Sequence, residues 1–192
     1  MQKAEWFVDW FNSPYYHLLY NHRNFEEAGR FMEDLCNFLG LGPHAKIWDL
    51  ACGKGRHAIS LNRMGFDVVA TDLAVNSIKE ASIHSNPTLE FFVHDMREPF
   101  KVSFFEAVFN LFTSIGYFEN REDNFRVFAN VALSLKPAGV FVIDFLNAKK
   151  TIETMNPAYV EKRGEMEFGI RKEVRGDTII KRIEFADQGH RY

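Results

Sequence analysis

Apolar and polar positions along the chain fall into two regimes. Asn24 with Glu27 three residues on reads as a capping box, after which Phe31, Leu35 and Phe38 recur at helical spacing until Gly40 stops the segment. From Lys46 onward, short runs rich in β-branched and aromatic residues alternate with helical patterns: 47–51, then 56–64 closed by Gly65, 66–71, 74–85, 89–94, 107–112, 121–135 and 140–145. This alternation predicts an α/β fold, a doubly wound, mostly parallel sheet joined by right-handed crossovers with helices on both faces. In the helix after Arg121 the expected inward stripe is Phe125, Phe128, Ala129, Ala132 and Leu135, and Lys136-Pro137-Ala138-Gly139 ends it before the next strand. Beyond Asn147 the runs 165–174 and 178–185, joined by Arg175-Gly176-Asp177, read as an antiparallel β-hairpin. The expected organisation is an N-terminal aromatic segment (1–45) acting as lid or cap, a core (46–147), and an appendage of helix and hairpin (148–192).

Composition narrows the partners. A chain of 192 residues that is 46% hydrophobic and 15% aromatic can fill one compact core, and its net charge of −3 lacks the basic footprint that phosphate neutralisation along nucleic acid requires. Cys36 and Cys52, the only cysteines, do not suggest a disulfide framework, and no apolar run is long enough to span a bilayer. A cytoplasmic protein without a membrane partner is the expectation; oligomeric state is not encoded legibly.

The chemistry concentrates at the first strand-to-helix turn. Gly53-Lys54-Gly55-Arg56-His57-Ala58 fits G-x-G-x-x-A, a pattern short enough to mean only a tight turn. Three acids change its meaning, because Asp49, Asp72 and Asp95 close three successive predicted strands and so share one edge of the sheet. Singly, Asp72 or Asp95 reads as a helix cap. Together they suit a ligand: Asp72 can accept from both hydroxyls of a ribose, Asp95 from the exocyclic amine of an adenine, with Leu73 and Met96 beside the ring. Asp49 discriminates, since a pyrophosphate on the helix N-terminus would face a carboxylate, whereas an ammonium or a sulfonium would be attracted.

On these residues the segment from about Lys46 to Asn147 resembles the class I S-adenosylmethionine-dependent methyltransferases, whose core is Rossmann-like. Asp49-Leu50-Ala51-Cys52-Gly53-Lys54-Gly55 matches the motif D-x-G-x-G-x-G with Ala51 in place of the first glycine. Asp72 with Leu73, Asp95 with Met96, and Asn110-Leu111-Phe112-Thr113 match the later strand ends. The resemblance implies S-adenosyl-L-methionine as cofactor, S-adenosyl-L-homocysteine as product, and Asp49, Ala51, Cys52, Gly53, Gly55, Asp72, Leu73, Asp95, Met96, Asn110 and Leu111 as cofactor-binding residues. It also implies a carboxylate partner for the cofactor from the N-terminal region or the helix start, for which Tyr20, Arg23 and Arg56 are candidates. The D/N-P-P-Y segment of nucleic-acid amino-methylating members and the Pro-Cys pair of cytosine-C5 enzymes are both missing after the fourth strand, which agrees with the acidic net charge. Members of this family normally finish with two further strands, the last antiparallel, which are absent here; either the chain is a fragment, which is the expectation, or the hairpin replaces the usual ending.

Methyl transfer needs alignment more than acid–base help, so no catalytic residue is assigned; Tyr117, His17 and His22 are conceivable bases, although packing explains each as well. The histidines show no metal-ligand spacing, and no metal is expected. Two other classes remain open: a nicotinamide-dependent oxidoreductase, against which Asp49 argues, and a non-catalytic binding domain on the same fold.

Overall fold

The computed structural model describes residues 5–20, 25–112, 114–176 and 178–192, with the side chains of 25–27 excepted. The chain forms two compact units, Met1–Ser13 with Arg23–Phe145, and Pro14–His22 with Leu146–Tyr192, so the predicted 1–45 segment is divided between them.

The first unit is built on a five-stranded sheet: β1 (Lys46–Leu50), β2 (Asp67–Asp72), β3 (Leu89–Val93), β4 (Phe105–Asn110) and β5 (Leu135–Ile143). The order is β3-β2-β1-β4-β5 with every pairing parallel, so the chain winds outward from β1, then returns to β1's other side. The reversal lies between β1 and β4, where open α/β sheets bind ligands at the carboxyl ends of the strands. Helices α1 (Trp6–Phe11), α3 (Phe25–Leu39), α4 (Arg56–Arg63), α5 (Val75–Ala81) and α6 (Arg121–Ser134) complete this unit. β1, β2 and β4 are buried along nearly their whole length because both faces are covered. Alternation along β1 sends Ile47 to one core, with Met32, Cys36, Ala58 and Leu61, and Trp48 and Leu50 to the other, with Phe105, Val127 and Val131. The Trp48 indole donates to Thr71 Oγ1 at 2.9 Å, satisfying its one polar atom in the core.

Two helix faces differ from expectation. In α3 the inward residues are Ala28, Met32 and Cys36, flanked by Leu35 and Leu39, while Phe31 and Phe38 are exposed. In α6 the inward residues are Val127, Asn130, Val131 and Ser134; Phe125, Phe128, Ala129 and Ala132 face outward, and Leu135 already belongs to β5. Small and polar side chains let the helix approach the sheet closely, and their polar atoms are paired: Asn130 Nδ2 donates to the Met96 carbonyl and Ser134 Oγ to that of Lys101. Lys136–Gly139 is therefore not a plain loop; it lies within β5, whose register slips between Phe105 and Ala107. The capping box at Asn24 and Glu27 lies outside the described side chains.

The second unit holds α2 (Pro14–Leu19), α7 (Ala148–Thr154) and an antiparallel sheet of β6 (Ala158–Arg163), β7 (Met166–Arg175) and β8 (Thr178–Glu184), followed by the short pair β9 (Ala186–Asp187) and β10 (His190–Arg191). The hairpin was expected and β6 was not, because Glu161, Lys162 and Arg163 mask its alternation. Leu19, Phe168 and Ile170 form its buried centre, and Phe185 stacks on Tyr192.

Candidate cofactor crevice

The turn from β1 into α4 carries three residues in left-handed conformation, Ala51 (φ 62°), Gly53 (57°) and Gly55 (76°). Gly55 has a second reason to be glycine: a Cβ there would lie 2.5 Å from Phe91 Cε1. Two carboxylates stitch this turn together. Asp49 Oδ2 accepts from the Ala58 amide at 3.0 Å, one of the N-terminal donors of α4 that the helix cannot satisfy itself. Asp72 accepts from the Gly53 amide (2.7 Å) with one oxygen and the Ala74 amide (2.8 Å) with the other. The Cys52 amide donates to the Thr71 carbonyl, and Asn110 Nδ2 donates to the Leu50 carbonyl at 2.9 Å, joining the ends of β1 and β4.

The electrostatics are unusual. Asp49 is 1% exposed, and burial pushes its carboxyl up to about 7; the Ala58 amide opposes this, the charge of Asp72 adds to it, and Arg56 relieves it slightly. Burial also raises Asp72, against the Ala74, Gly53 and Leu73 amides. Two carboxyl groups on neighbouring strands are thus held in a place that disfavours their ionisation. A cation arriving beside them would relieve both, and a diphosphate would aggravate both. Among the described residues Asn110 Oδ1 is a buried acceptor without a hydrogen-bond donor, and the space that a Cβ on Gly53 would enter is open. A compact set of acceptors, carboxylate and carbonyl oxygen beside open space, fits the ammonium, sulfonium and ribose of S-adenosyl-L-methionine.

The sequence-predicted residues divide accordingly. Asp49, Ala51, Cys52, Gly53, Gly55, Asp72 and Asn110 come together in one bonded cluster, with Leu111 buried beside it and Leu73 half-buried on the loop after β2. Met96 is half-buried and packs toward the Trp48 core. Asp95 stands at the same edge but is engaged: Arg97 Nε donates to both its oxygens (3.0 and 3.1 Å) and Nη2 to Oδ2 (2.6 Å). Burial alone would raise Asp95, yet these bonds hold it below the usual carboxylate range. The Arg56 guanidinium lies 4.5 Å over the Phe112 ring, 3.2 Å from His57 Nε2. Tyr20 belongs to the second unit, where Lys181 Nζ donates to its hydroxyl at 2.7 Å; His17 is in the same unit; Arg23, His22 and Thr113 lie outside the described residues. Tyr117 meets the rings of Trp6 (5.7 Å) and Phe11 (5.3 Å) edge to face. Sequence reasoning missed Arg97, for which the only signal was a cation two residues after a strand-end acid, and the buried, Phe112-stacked His57. Among the described residues no group of three or more His, Cys, Asp or Glu could hold a metal ion.

The parallel sheet that reverses beside Asp49, Asp72 and a glycine turn is a Rossmann-like α/β arrangement. Residues 47–139 match the sequence profile of the family described as "Methyltransferase domain". A protein of Geobacillus sp. (strain WCH70) that carries a methyltransferase name is 26% identical over 133 residues, which are 68% of this chain and 54% of that one. The chain thus spans about half the length of that curated relative. The crystal structure of an S-adenosylmethionine-dependent methyltransferase from Clostridium acetobutylicum ATCC 824 superposes with a TM-score of 0.72 at 21% identity, covering 93% of this chain and 75% of that one. The sugar N-methyltransferase KedS8 from Streptoalloteichus sp. ATCC 53650 gives 0.71 at 24% identity, covering 92% and 74%. At these identities the two structures establish the fold.

Proposed function

We propose that this protein transfers the methyl group of S-adenosyl-L-methionine to a small polar acceptor. The buried Asp49–Asp72 pair carries the reading, because the crevice is organised for a guest with positive charge and hydroxyls. In this reading Asp49 faces the cationic end, Asp72 accepts from the ribose, and the Gly53 side of the turn leaves room for the ligand. The bound cofactor supplies a methyl carbon on a positively charged sulfur, which an acceptor lone pair can displace in line. The chain contributes alignment and exclusion of water, and α1, packed through Trp6, Phe7 and Phe11 on Tyr117 and Phe118, is placed to do the latter. A sugar-sized acceptor is supported by the likeness to KedS8, and the net charge of −3 speaks against nucleic acid. Two free, buried cysteines suit the reducing cytoplasm, and no described helix is long and apolar enough to cross a membrane.

The test is native mass spectrometry of the purified protein, followed by incubation with labelled cofactor and a panel of small amines and alcohols. A co-purifying adenosyl ligand and label transfer to one acceptor class are expected. Retention of a nicotinamide dinucleotide instead would overturn the reading.

A further inference from the structure

Arg97 holds more than Asp95. Its Nη1 and Nη2 donate to Glu5 Oε1 and Oε2, both at 2.7 Å, in a fork-on-fork pair, and Nη1 also reaches Asp123 Oδ2 at 3.4 Å. The Phe118 ring lies 4.9 Å from the guanidinium carbon and the Phe7 ring 6.0 Å, so the side chain is only 16% exposed. Glu5 immediately precedes α1, and α1 touches the segments leaving three strands. Asn12 Oδ1 accepts from the Asn76 amide (2.8 Å) after β2, Glu5 meets Arg97 after β3, and Phe7 meets Phe118 (5.5 Å) after β4. The helix therefore lies along the carboxyl edge of the sheet, the edge that also carries Asp49 and Asp72.

We propose that Arg97 is a positioning residue that latches α1 across the cofactor crevice through Glu5, and that breaking the Glu5–Arg97 pair is the step that admits and releases cofactor. This rests on the cofactor reading above. The geometry favours such a latch because the three carboxylates are not equivalent. Asp95 follows β3 and Asp123 lies in the first turn of α6, so both belong to the sheet's own frame; only Glu5 belongs to the helix. When Glu5 leaves, the guanidinium keeps two anionic partners and two rings, so opening does not strand a desolvated cation. The same guanidinium fixes Asp95 at the sheet edge, so an event there is felt by the helix directly.

The decisive variant is Glu5→Gln, which keeps size and polarity but removes the charge-assisted fork; Arg97→Lys, which keeps charge without the fork, is its counterpart. Stopped-flow binding of S-adenosyl-L-homocysteine should show the dissociation rate rising at least about fivefold in Glu5→Gln, with association faster as well and thermal stability little changed. Arg97→Lys should move the rates in the same direction, and Arg97→Ala further. Intact binding with unchanged rates in Glu5→Gln would overturn the latch while leaving the cofactor reading in place. Failure of the wild-type protein to bind S-adenosyl-L-homocysteine would overturn the cofactor reading and with it the cofactor-gating role. Hydrogen–deuterium exchange over residues 5–12 tests the mechanical half alone: faster exchange in Glu5→Gln supports the latch, and unchanged protection refutes it.

Discussion

Replacing Asp49 by asparagine tests whether the crevice is destabilised by its own charge. A folded-state value of about 7, against about 4 in an unfolded chain, is a gap of roughly three pH units. At about 1.4 kcal/mol per unit the ionised form costs the fold on the order of 4 kcal/mol above pH 7. The sign follows from proton counts: between those values the folded state holds the proton and the unfolded chain does not, so this group makes stability fall as pH rises from about 4 to about 7. Asparagine keeps an oxygen for the Ala58 amide and never ionises, but its amide nitrogen must find an acceptor, so the expected net gain at pH 8 is about 2–4 kcal/mol. That corresponds to a rise in Tm on the order of 5–15 °C for a chain of this size, shrinking toward zero at about pH 4–5. Urea unfolding of the ligand-free Asp49→Asn and wild-type proteins at several pH values checks this, and calorimetry should show cofactor affinity reduced at least about tenfold in the same variant. A variant less stable than wild type at pH 8, or a difference that does not change with pH, would refute the reasoning.

Three further outcomes follow from the same turn. Because a cationic ligand favours ionised Asp49, binding of S-adenosyl-L-methionine near pH 7 should release protons and tighten as pH rises through about 7, measurable by titration in buffers of different ionisation enthalpy. Gly55→Ala should destabilise by about 2–4 kcal/mol, since the methyl meets the Phe91 ring at 2.5 Å and the backbone is left-handed, and a second change, Phe91→Leu, should recover part of the loss in a denaturation cycle. Ala51→Gly should stabilise slightly, by up to about 1 kcal/mol, because relief at φ 62° outweighs the added freedom of the unfolded chain.

The sheet was legible because strands covered on both faces are mostly apolar and alternate with helical patterns, and 46–50 and 105–110 bury Ile47, Trp48, Leu50, Ala107, Val108 and Phe109. Strand-end acids were legible for the same reason, since strand order brings the ends of β1 and β2 side by side. The faces of α3 and α6 were misread because size was taken as the sign of burial. Each helix carries two apolar stripes; in α3 the core takes Ala28, Met32 and Cys36 with Leu35, and in α6 Val127 and Val131, leaving Phe38 86% exposed and Phe125 71% exposed. β6 escaped notice because its inward positions include Glu161 and Arg163, which pair with each other at 2.6 Å. The pairing of Asp95 with Arg97 left only a faint local trace, a cation two residues after an acid, and the third member, Glu5, is distant in sequence and is brought near by the packing of α1.

The direct measurement is a calorimetric titration of the purified protein with S-adenosyl-L-methionine and, separately, with NAD at pH 8. Saturable binding of the adenosyl sulfonium, weakened in Asp49→Asn and Asp72→Asn, is the expected result. Tighter binding of the dinucleotide, or sulfonium binding indifferent to both substitutions, would contradict a crevice shaped by its buried carboxylates.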